Sequence, residues 1–232
     1  MLTAVILDVD GTLADTERDG HRPAFNRAFA ELGLDHRWGV QEYGRLLATT
    51  GGLQRLEGFL TGAGHPDPAG TAQVLHRAKT AHFLEWVRSG PLRSRPGVDE
   101  LLADLRGRGV RLGVATTGRR AWVLSLLDRL FGLDVFDVVV TGDDVEQLKP
   151  APDAYLRALA GLGVPAAEVL AVEDSPPGLR AARRAGLSCL VVTNEYTAAQ
   201  AFAGAAAVLP GFDGLDTARC AALLAGEAPG PR

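Results

Sequence analysis

Four short polar motifs in this sequence carry the residue types that phosphoryl transfer requires. In chain order they are Asp8-Val9-Asp10-Gly11-Thr12, Thr116-Thr117-Gly118, Lys149-Pro150 and Glu173-Asp174. A carboxylate can attack phosphorus to form an aspartyl-phosphate, which divides one difficult step into two easier ones. A second carboxylate two residues later can protonate the leaving oxygen and then deprotonate the hydrolytic water, which is worth roughly 10²–10⁴ in rate. The first motif therefore predicts Asp8 as the nucleophile and Asp10 as the acid and base.

The same motifs provide ligands for a hard cation. An anionic nucleophile that approaches an anionic phosphate needs positive charge beside it, and carboxylate and carbonyl oxygens suit Mg²⁺. We predict a Mg²⁺ site formed by Asp8, the backbone carbonyl of Asp10 and Asp174. Glu173 is a further ligand that binds either directly or through water.

The remaining motifs predict contacts to the phosphate oxygens. The Lys149 ammonium group and the Thr116 hydroxyl, with nearby backbone N–H groups, can stabilise the charge that grows on those oxygens. Thr117 is a further candidate for contact with the substrate. Taken singly, such motifs have ordinary structural interpretations, since an aspartate at the end of a strand is often a turn or a helix cap. Four of them in order, each placed after an apolar run, favour the catalytic interpretation.

Five apolar runs predict the strands that position these motifs. They cover residues 3–8, 110–115, 135–140, 169–172 and 188–192. Amphipathic segments with helical spacing lie between them. Strands that alternate with helices of this length indicate an α/β fold with a Rossmann-like doubly wound parallel sheet. Because such sheets bind ligands outside the carboxyl ends of their strands, we expect the four motifs to meet at one edge.

Residues 18–88 break this alternation, because they contain helical patterns and no convincing strand. Apolar helical faces lie within 24–32, 53–60 and 75–86. We therefore predict a helical cap domain at 17–89, inserted into a phosphatase core formed by 1–16 and 90–232. The tail from 225 to 232, rich in Gly and Pro, is expected to fray.

The composition is that of an ordinary globular protein and excludes several classes. The 232 residues are 47% hydrophobic and 22% charged, with a net charge of −4, which gives no reason to expect a nucleic-acid partner. The two cysteines, Cys189 and Cys220, cannot form a disulfide framework or a thiolate metal cluster. The N-terminal apolar run is too short for a signal peptide or a membrane span. We expect a monomeric, cytoplasmic enzyme with no membrane partner.

Together the four motifs resemble those of the haloacid dehalogenase superfamily. The helical insert after the first motif is similar to that of the C1-capped branch, which includes sugar-phosphate phosphatases and β-phosphoglucomutase. The resemblance extends to about residue 210. It implies Asp8 as nucleophile, Asp10 as acid and base, Mg²⁺ as cofactor and a mobile cap. Dehalogenases lack the second carboxylate of the first motif, so Asp10 argues against that chemistry.

The predicted cap carries a second group of residues that would bind the substrate, through polar side chains or, at the two glycines, through backbone N–H groups. They are Glu17, Tyr43, Thr50, Gly51, Gly52, Arg55, His76 and Lys79. This set resembles the CbbY-like group of the C1-capped branch, whose members are similar to xylulose-1,5-bisphosphate phosphatases. We expect Glu17 and Tyr43 to offer hydrogen bonds to sugar hydroxyls.

Two cations of the cap point to a second phosphate on the substrate. Lys79 shares a predicted helix face with Leu75 and Phe83, and only Lys79 and Lys149 are lysines among the 24 Lys and Arg residues. A cation within an apolar stripe either extends its charge to solvent or faces a ligand, and the scarcity of lysine favours a ligand. Arg55 offers a fork for a phosphate, or else is a solvated arginine. The expected substrate is a sugar phosphate, with the bisphosphate xylulose 1,5-bisphosphate as the first candidate.

Other activities compete with this prediction. A broader sugar-phosphate phosphatase would share parts of the cap, and a phosphosugar mutase of the β-phosphoglucomutase type would use the same core. Mutases place a cap histidine four residues after a threonine, whereas His21 follows Thr16 by five because the segment 17–21 is one residue longer than in some relatives. This spacing favours a phosphatase and leaves the role of His21 open. A phosphorylated receiver module is a poor match, since its accepting aspartate lies on a later strand and it has no insert.

Overall fold

The structure is a computed structural model that describes residues 1–49 and 51–227. The chain forms two compact units. The first, here called the α/β unit, contains Met1–Asp15 and Leu92–Arg232. The second, here called the helical unit, contains Thr16–Pro91. Within the described ranges, we find no helix that combines the length and the apolar character needed to cross a membrane.

The described part of the helical unit begins with a π-helical turn and continues with four α-helices around a cluster of aromatic rings. The turn covers Glu17–His21, and the helices are α1 Arg22–Glu31, α2 Val40–Leu46, α3 Gly52–Gly62 and α4 Pro68–Ser89. The rings of Phe25, Phe29 and Phe59 pack against Trp38 with centroids 4.9–5.1 Å away. At the start of α4, the Asp67 side chain accepts a hydrogen bond from the Gly70 N–H and caps the helix.

A six-stranded parallel sheet forms the centre of the α/β unit and confirms the doubly wound fold predicted from the sequence. The strands are β1 Ala4–Leu7, β2 Arg111–Ala115, β3 Val138–Val140, β4 Val169–Glu173, β5 Ser188–Val192 and β6 Ala207–Leu209. Their spatial order is β3-β2-β1-β4-β5-β6, so the direction of winding reverses between β1 and β4. Ligands of doubly wound sheets bind in the crevice at this switch point.

Helices cover both faces of the sheet and bury its apolar side chains. They are α5 Val98–Gly107, α6 Arg120–Phe131, α7 Asp153–Leu162, α8 Pro176–Arg184 and α9 Thr217–Leu224. Residues of α7 and α8 pack in one core with alternate residues of the strands, such as Ile6 and Ala171. Helices α5 and α9 contact each other and the other side of the sheet at β2, β4 and β5. With both faces covered, the strands read as continuous apolar runs.

The third strand is shorter than the sequence predicted. It covers Val138–Val140 instead of 135–140. Gly132 has a φ of 82° and is followed by a 3₁₀ turn at Leu133–Val135. The Asp137 side chain accepts a hydrogen bond from the Leu112 N–H at 2.8 Å. This side-chain contact and the turn replace the first half of the predicted strand.

Three short elements were not predicted at all. Strand β6 has 3 residues, and helices α2 and α9 have 7 and 8. Elements of this length carry too few apolar positions for a recognisable period. Of the tail that we expected to fray, residues 228–232 lie outside the described part of the chain.

Candidate active site

Three buried carboxylates meet at the switch point of the sheet; together with Lys149 they are here called the acidic cluster. Asp8 directly follows β1, Glu173 is the last residue of β4 and Asp174 comes next. Because β1 and β4 are hydrogen-bonded neighbours, their ends bring these side chains together. One oxygen of each carboxylate lies within 4.8 Å of the others. Acidic groups at this distance repel one another unless positive charge lies among them.

Lys149 supplies positive charge to this cluster from the loop between β3 and α7. Its Nζ donates to Asp8 Oδ1 at 2.6 Å and to Glu173 Oε1 at 2.5 Å. Burial alone would lower the pKa of Lys149, but the carboxylates of Asp8 and Glu173 raise it above its usual range. Lys149 is therefore a fixed cation at any ordinary pH.

One ammonium group does not balance three carboxylates. Burial raises the pKa of Asp8 to about 6, with Lys149 opposing the shift and Glu173 adding to it. Burial, and then the charges of Asp8 and Glu173, raise the pKa of Asp174 well above its usual range. Three ionised carboxylates would therefore carry more negative charge than Lys149 neutralises. A divalent cation with oxygen ligands would balance it, so these residues fit the predicted Mg²⁺.

The turn after β1 places Asp10 at the same edge of the sheet. Gly11 has a φ of 81°, and a Cβ atom there would overlap Asp174 Oδ2 and Asn194 Nδ2. The turn thus requires glycine both for its backbone conformation and for the space it leaves. The Gly11 N–H donates to the Ala14 carbonyl at 2.8 Å, which closes the turn.

Two residues outside the four motifs hold this turn. The buried Arg95 donates from Nη1 to the Gly11 carbonyl at 2.5 Å and from Nη2 to the Thr193 carbonyl at 2.7 Å. Asn194 Nδ2 donates to Asp174 Oδ2 at 2.7 Å and to the Gly11 carbonyl at 3.3 Å. Neither residue was predicted to belong to the site. Asn194 does follow the fifth apolar run, so an inspection of every strand end would have found it.

Glu173 is hydrogen-bonded through both carboxylate oxygens. Oε1 accepts from Lys149 Nζ and, at 2.8 Å, from the hydroxyl of the fully buried Tyr155. Oε2 accepts from the Asp174 N–H at 3.2 Å and from Ser175 Oγ at 3.3 Å. Tyr155 lies in one of the amphipathic segments between the predicted strands, and no role in the site was predicted for it. Its contact with Glu173 depends on how α7 packs on the sheet, which no motif reveals.

Thr116 lies at the end of β2, which pairs with β1. Its Oγ1 accepts a hydrogen bond from the Gly118 N–H at 2.9 Å, so the hydroxyl proton can be donated to an anion. Thr116 is buried, whereas Thr117 is exposed. Of the two threonines, Thr116 has the fixed geometry that a contact to phosphate needs.

A positively charged cluster, here called the basic cluster, lies in the helical unit. It consists of His21, Arg55, His76 and Lys79. Burial lowers the pKa of His21 well below its usual value, and the charges of Lys79, Arg55 and His76 add to this shift. Burial, and then Lys79, lower the pKa of His76. The two histidines are thus held neutral beside two cations, Arg55 and Lys79, whose charge favours an anionic ligand.

Lys79 occupies the apolar stripe of α4 where the sequence placed it. Leu75, Lys79 and Phe83 are all buried on this helix. The Lys79 Nζ lies 5.0 Å from the centroid of the Phe25 ring and 5.1 Å from that of Phe83. Contact with two ring faces stabilises the ammonium group away from bulk water. This placement argues against a lysine that extends freely into solvent.

Arg55 begins a chain of hydrogen bonds that ends at Glu17. Its Nε and Nη2 donate to the carbonyls of Leu46 and Thr49 at 3.1 and 3.2 Å, and Nη1 donates to the Tyr43 hydroxyl at 3.1 Å. That hydroxyl in turn donates to Glu17 Oε2 at 2.5 Å. Tyr43 is fully buried. Its hydroxyl therefore holds the Glu17 carboxylate and is not itself accessible to a sugar. Each terminal nitrogen of Arg55 carries a second N–H group.

Gly51 and Gly52, two of the candidate substrate-binding residues, lie at the start of α3. Gly51 has a φ of 90°, and its carbonyl accepts from the Arg55 N–H at 3.0 Å. A Cβ atom at Gly52 would lie 3.3 Å from the His76 ring, so the helix start and the basic cluster are adjacent. Thr50, the remaining candidate of this group, lies outside the described residues.

The π-helical turn explains the extra residue before α1. The Arg22 N–H donates to the Glu17 carbonyl, five residues back. A π turn absorbs one inserted residue without changing the register of the helix that follows. The five-residue step from Thr16 to His21 is therefore equivalent in space to a four-residue step in an α-helix. The spacing that favoured a phosphatase over a mutase no longer separates them.

Comparisons with known proteins agree with the geometry. A family model for haloacid dehalogenase-like hydrolases matches residues 2–186. The chain is 46% identical to the protein CbbY of Rhodobacter capsulatus over 207 residues, which are 88% of this chain and 91% of the relative. The crystal structure of CbbY from Rhodobacter sphaeroides in complex with phosphate is similar, with a TM-score of 0.81 and 44% identity over 95% of this chain and 100% of that one. A mutant of that protein in complex with xylulose-(1,5)bisphosphate has a TM-score of 0.80 and 43% identity, over 95% and 99% of the two chains.

The family match covers more than half of the chain, and the solved structures share its fold over almost the whole length. The resemblance inferred from the four motifs is thus confirmed. This chain belongs to the haloacid dehalogenase-like hydrolases.

Proposed function

We propose that this chain is a Mg²⁺-dependent sugar bisphosphate phosphatase that acts through an aspartyl-phosphate on Asp8. The observation that carries the proposal is the cluster of Asp8, Glu173 and Asp174 with Lys149 at the switch point of the sheet. The family and its phosphatase relatives make the chain an enzyme of phosphoric monoester hydrolysis. The geometry of this cluster supports a role for each of its residues in that reaction.

Asp8 is the nucleophile, since it combines a carboxylate at a strand end with a fixed cation at 2.6 Å. One carboxylate oxygen attacks phosphorus, the bond to the leaving oxygen breaks and Asp10 gives that oxygen a proton. Asp10 then takes a proton from water, which attacks phosphorus, breaks the bond to Asp8 and releases inorganic phosphate. Lys149 and Thr116 donate to the phosphate oxygens that carry the growing charge.

Mg²⁺ is the cation that suits the ligands at this edge. Asp8, Asp174 and the backbone carbonyl of Asp10 would hold it, because all are oxygen ligands. Glu173 would act through water, since protein donors already bind both of its oxygens. When bound, the ion supplies positive charge that neutralises the phosphate and the carboxylates.

The class of substrate is inferred from the basic cluster of the helical unit. The acidic cluster already provides for the phosphate that reacts, so Arg55 and Lys79 would serve a second, non-reacting phosphate of the same molecule. The N-terminus of α3, with its backbone N–H groups beside Arg55, adds to the attraction for an anion. Glu17, held by Tyr43, would accept a hydrogen bond from a sugar hydroxyl. A similar protein binds xylulose-(1,5)bisphosphate, which makes this five-carbon bisphosphate the first candidate substrate here.

A phosphosugar mutase is the second candidate function. It is favoured by the π-helical turn, which brings His21 into the register that mutases use. A mutase must keep its aspartyl-phosphate away from water while the intermediate rebinds. We place it second because the CbbY proteins compared above are 44–46% identical to this chain over most of its length.

Phosphate release from a panel of substrates tests the proposal. The panel contains xylulose 1,5-bisphosphate, xylulose 5-phosphate, glucose 1,6-bisphosphate and an aryl phosphate. We expect the highest kcat/KM with xylulose 1,5-bisphosphate, and no activity with any substrate when a chelator removes the metal. With β-glucose 1-phosphate and a trace of the 1,6-bisphosphate, we expect little glucose 6-phosphate. Rapid isomerisation without phosphate release would establish the mutase instead.

A further inference from the structure

The side chain of Asn194 lies between two parts of the candidate active site. Its Nδ2 group donates to Asp174 Oδ2 at 2.7 Å and to the Gly11 carbonyl at 3.3 Å. Within residues 1–49 and 51–227, it provides the only hydrogen bond to the Asp174 carboxylate that the structure contains. Asn194 comes from the loop after β5, whereas Asp174 follows β4 and Gly11 follows β1. One amide group thus joins three strand ends.

The amide is held in one orientation. Its Oδ1 accepts a hydrogen bond from the Tyr196 N–H at 2.9 Å, and the Asn194 N–H donates to Thr197 Oγ1 at 3.0 Å. Since Oδ1 faces a backbone donor, the Nδ2 group must point the other way. Both of its protons are then directed at oxygens, those of Asp174 and Gly11. The loop therefore sets the direction of the amide before any ligand binds.

The Asn194 amide thus binds Oδ2 of Asp174, and Oδ1 accepts no hydrogen bond from the described residues. Without the amide, the carboxylates of Asp8 and Glu173, which each have an oxygen within 4.8 Å of one of Asp174, would push the Asp174 side chain away by like-charge repulsion. Arg95 also donates to the Gly11 carbonyl. Loss of Asn194 would therefore free the Asp174 side chain to move, whereas the turn at Gly11 would still be held by Arg95.

We infer that Asn194 is a positioning residue that sets the orientation of Asp174 for the metal ion. The inference rests on the proposed function, in which Asp174 binds Mg²⁺. Residues that orient metal ligands through hydrogen bonds typically change metal affinity by about 10–100-fold when they are removed. Asn194 belongs to no motif of the family resemblance and touches neither the phosphate nor the sugar in the proposed reaction.

The test measures Mg²⁺ binding directly by titration calorimetry, on the full chain and without substrate. Two variants are compared with the wild type. Asn194→Ala removes the whole amide. Asn194→Ser keeps a side-chain oxygen that can accept from the Tyr196 N–H, as serine does in such turns, but it is too short to reach Asp174. Gln200→Ala, an exposed position on the same loop, is the matched control.

We expect both Asn194 variants to bind Mg²⁺ about 10-fold more weakly or worse, while Gln200→Ala binds like the wild type. The Asn194→Ser variant should keep the thermal midpoint of the metal-free wild type to within about 3 °C, which corresponds to about 1 kcal/mol or less for a chain of this size. Two results would overturn the inference. One is a folded Asn194→Ser protein with wild-type Mg²⁺ affinity, and the other is an Asn194→Ser protein that fails to fold, which would assign Asn194 to the loop alone. A wild-type chain that binds no Mg²⁺ would instead contradict the proposed function itself.

Discussion

The acidic cluster of the α/β unit and the basic cluster of the helical unit have opposite charge and are built in different ways. In the first, three carboxylates are placed by the ends of strands that hydrogen bonds hold in register, and one lysine reaches them from the loop after β3. In the second, an arginine, a lysine and two histidines are placed by the packing of helices around aromatic rings. The sheet fixes the reacting groups firmly, as bond formation requires. The basic cluster fits the other task of an enzyme, which is to choose among phosphorylated molecules.

The largest expected effect is the loss of the nucleophile from the acidic cluster. Asp8→Asn keeps the shape of the side chain but removes its charge, so it should abolish turnover of every substrate while the chain stays folded. We expect at least about a 10⁴-fold loss, as is typical when a covalent nucleophile is removed. Phosphate release and circular dichroism measure the two quantities. A folded Asp8→Asn protein with near-native turnover would show that the nucleophile lies elsewhere.

Removal of a metal ligand should have the next largest effect. Asp174→Ala should raise the Mg²⁺ concentration that gives half-maximal activity by about 10-fold or more, because one of the few carboxylate ligands is lost. Activity measured against Mg²⁺ concentration provides the test, with Asp143→Ala on an exposed loop as the control. Since oxygen ligands favour Mg²⁺ over Zn²⁺, added Zn²⁺ should not replace it. Full activity in the presence of EDTA would contradict the whole metal site.

A smaller effect is expected from a change in the helical unit, and it should depend on which substrate is used. Tyr43→Phe removes the hydroxyl that links Arg55 to Glu17. We expect kcat/KM for the sugar bisphosphate to fall about 5–10-fold, which corresponds to about 1 kcal/mol for one hydrogen bond. The value for an aryl phosphate, which has no sugar hydroxyl for Glu17, should change by less than about 2-fold. Equal losses with both substrates would mean that Tyr43 supports the fold of the helical unit only.

The smallest expected effect concerns the pH dependence of stability in the basic cluster. Burial and the neighbouring cations lower the pKa of His21 and His76, so the unfolded chain binds protons more readily than the folded one. The stability from these neutral histidines is present above the unfolded pKa of about 6.5 and is lost as pH falls below it. Thermal unfolding at pH 7 and pH 5 should show a smaller loss for His76→Gln than for the wild type. An identical pH dependence in both proteins would contradict this role of His76.

The sequence predicted the acidic cluster better than its supports. Asp8, Lys149 and Asp174 could be found because each stands at or after the end of an apolar run, and parallel strands end at one edge. Tyr155 and Arg95 could not be found in this way. The Tyr155 contact depends on the packing of α7, and the Arg95 donors bind backbone carbonyls, which leave no trace in the residue types of their partners.

The helical unit was harder to predict, because helix packing has no register comparable to that of a sheet. The apolar stripe of α4 correctly placed Lys79 at a buried position. No pattern in the sequence could show that Arg55 would donate hydrogen bonds to three groups of its own unit. Nor could any pattern show that the Tyr43 hydroxyl would donate to Glu17. The extra residue before α1 was visible in the sequence, but its consequence depended on a π-helical turn, which spacing alone does not predict.

The reacting phosphate is assigned to the acidic cluster and a second phosphate to the basic cluster, and the most direct test is how strongly the enzyme prefers a bisphosphate to a monophosphate. This preference is the ratio of kcat/KM for xylulose 1,5-bisphosphate to that for xylulose 5-phosphate, measured for the wild type and for Lys79→Met. Methionine keeps the length and apolar contacts of Lys79 but not its charge. Arg77→Met, on the exposed side of the same helix, is the control. We expect the wild type and the control to prefer the bisphosphate by about 100-fold, as about 3 kcal/mol for a buried charged contact implies, and Lys79→Met to lose most of that preference. Equal efficiency of the wild type with both substrates, or an unchanged preference in Lys79→Met, would contradict the assignment of the basic cluster to a second phosphate.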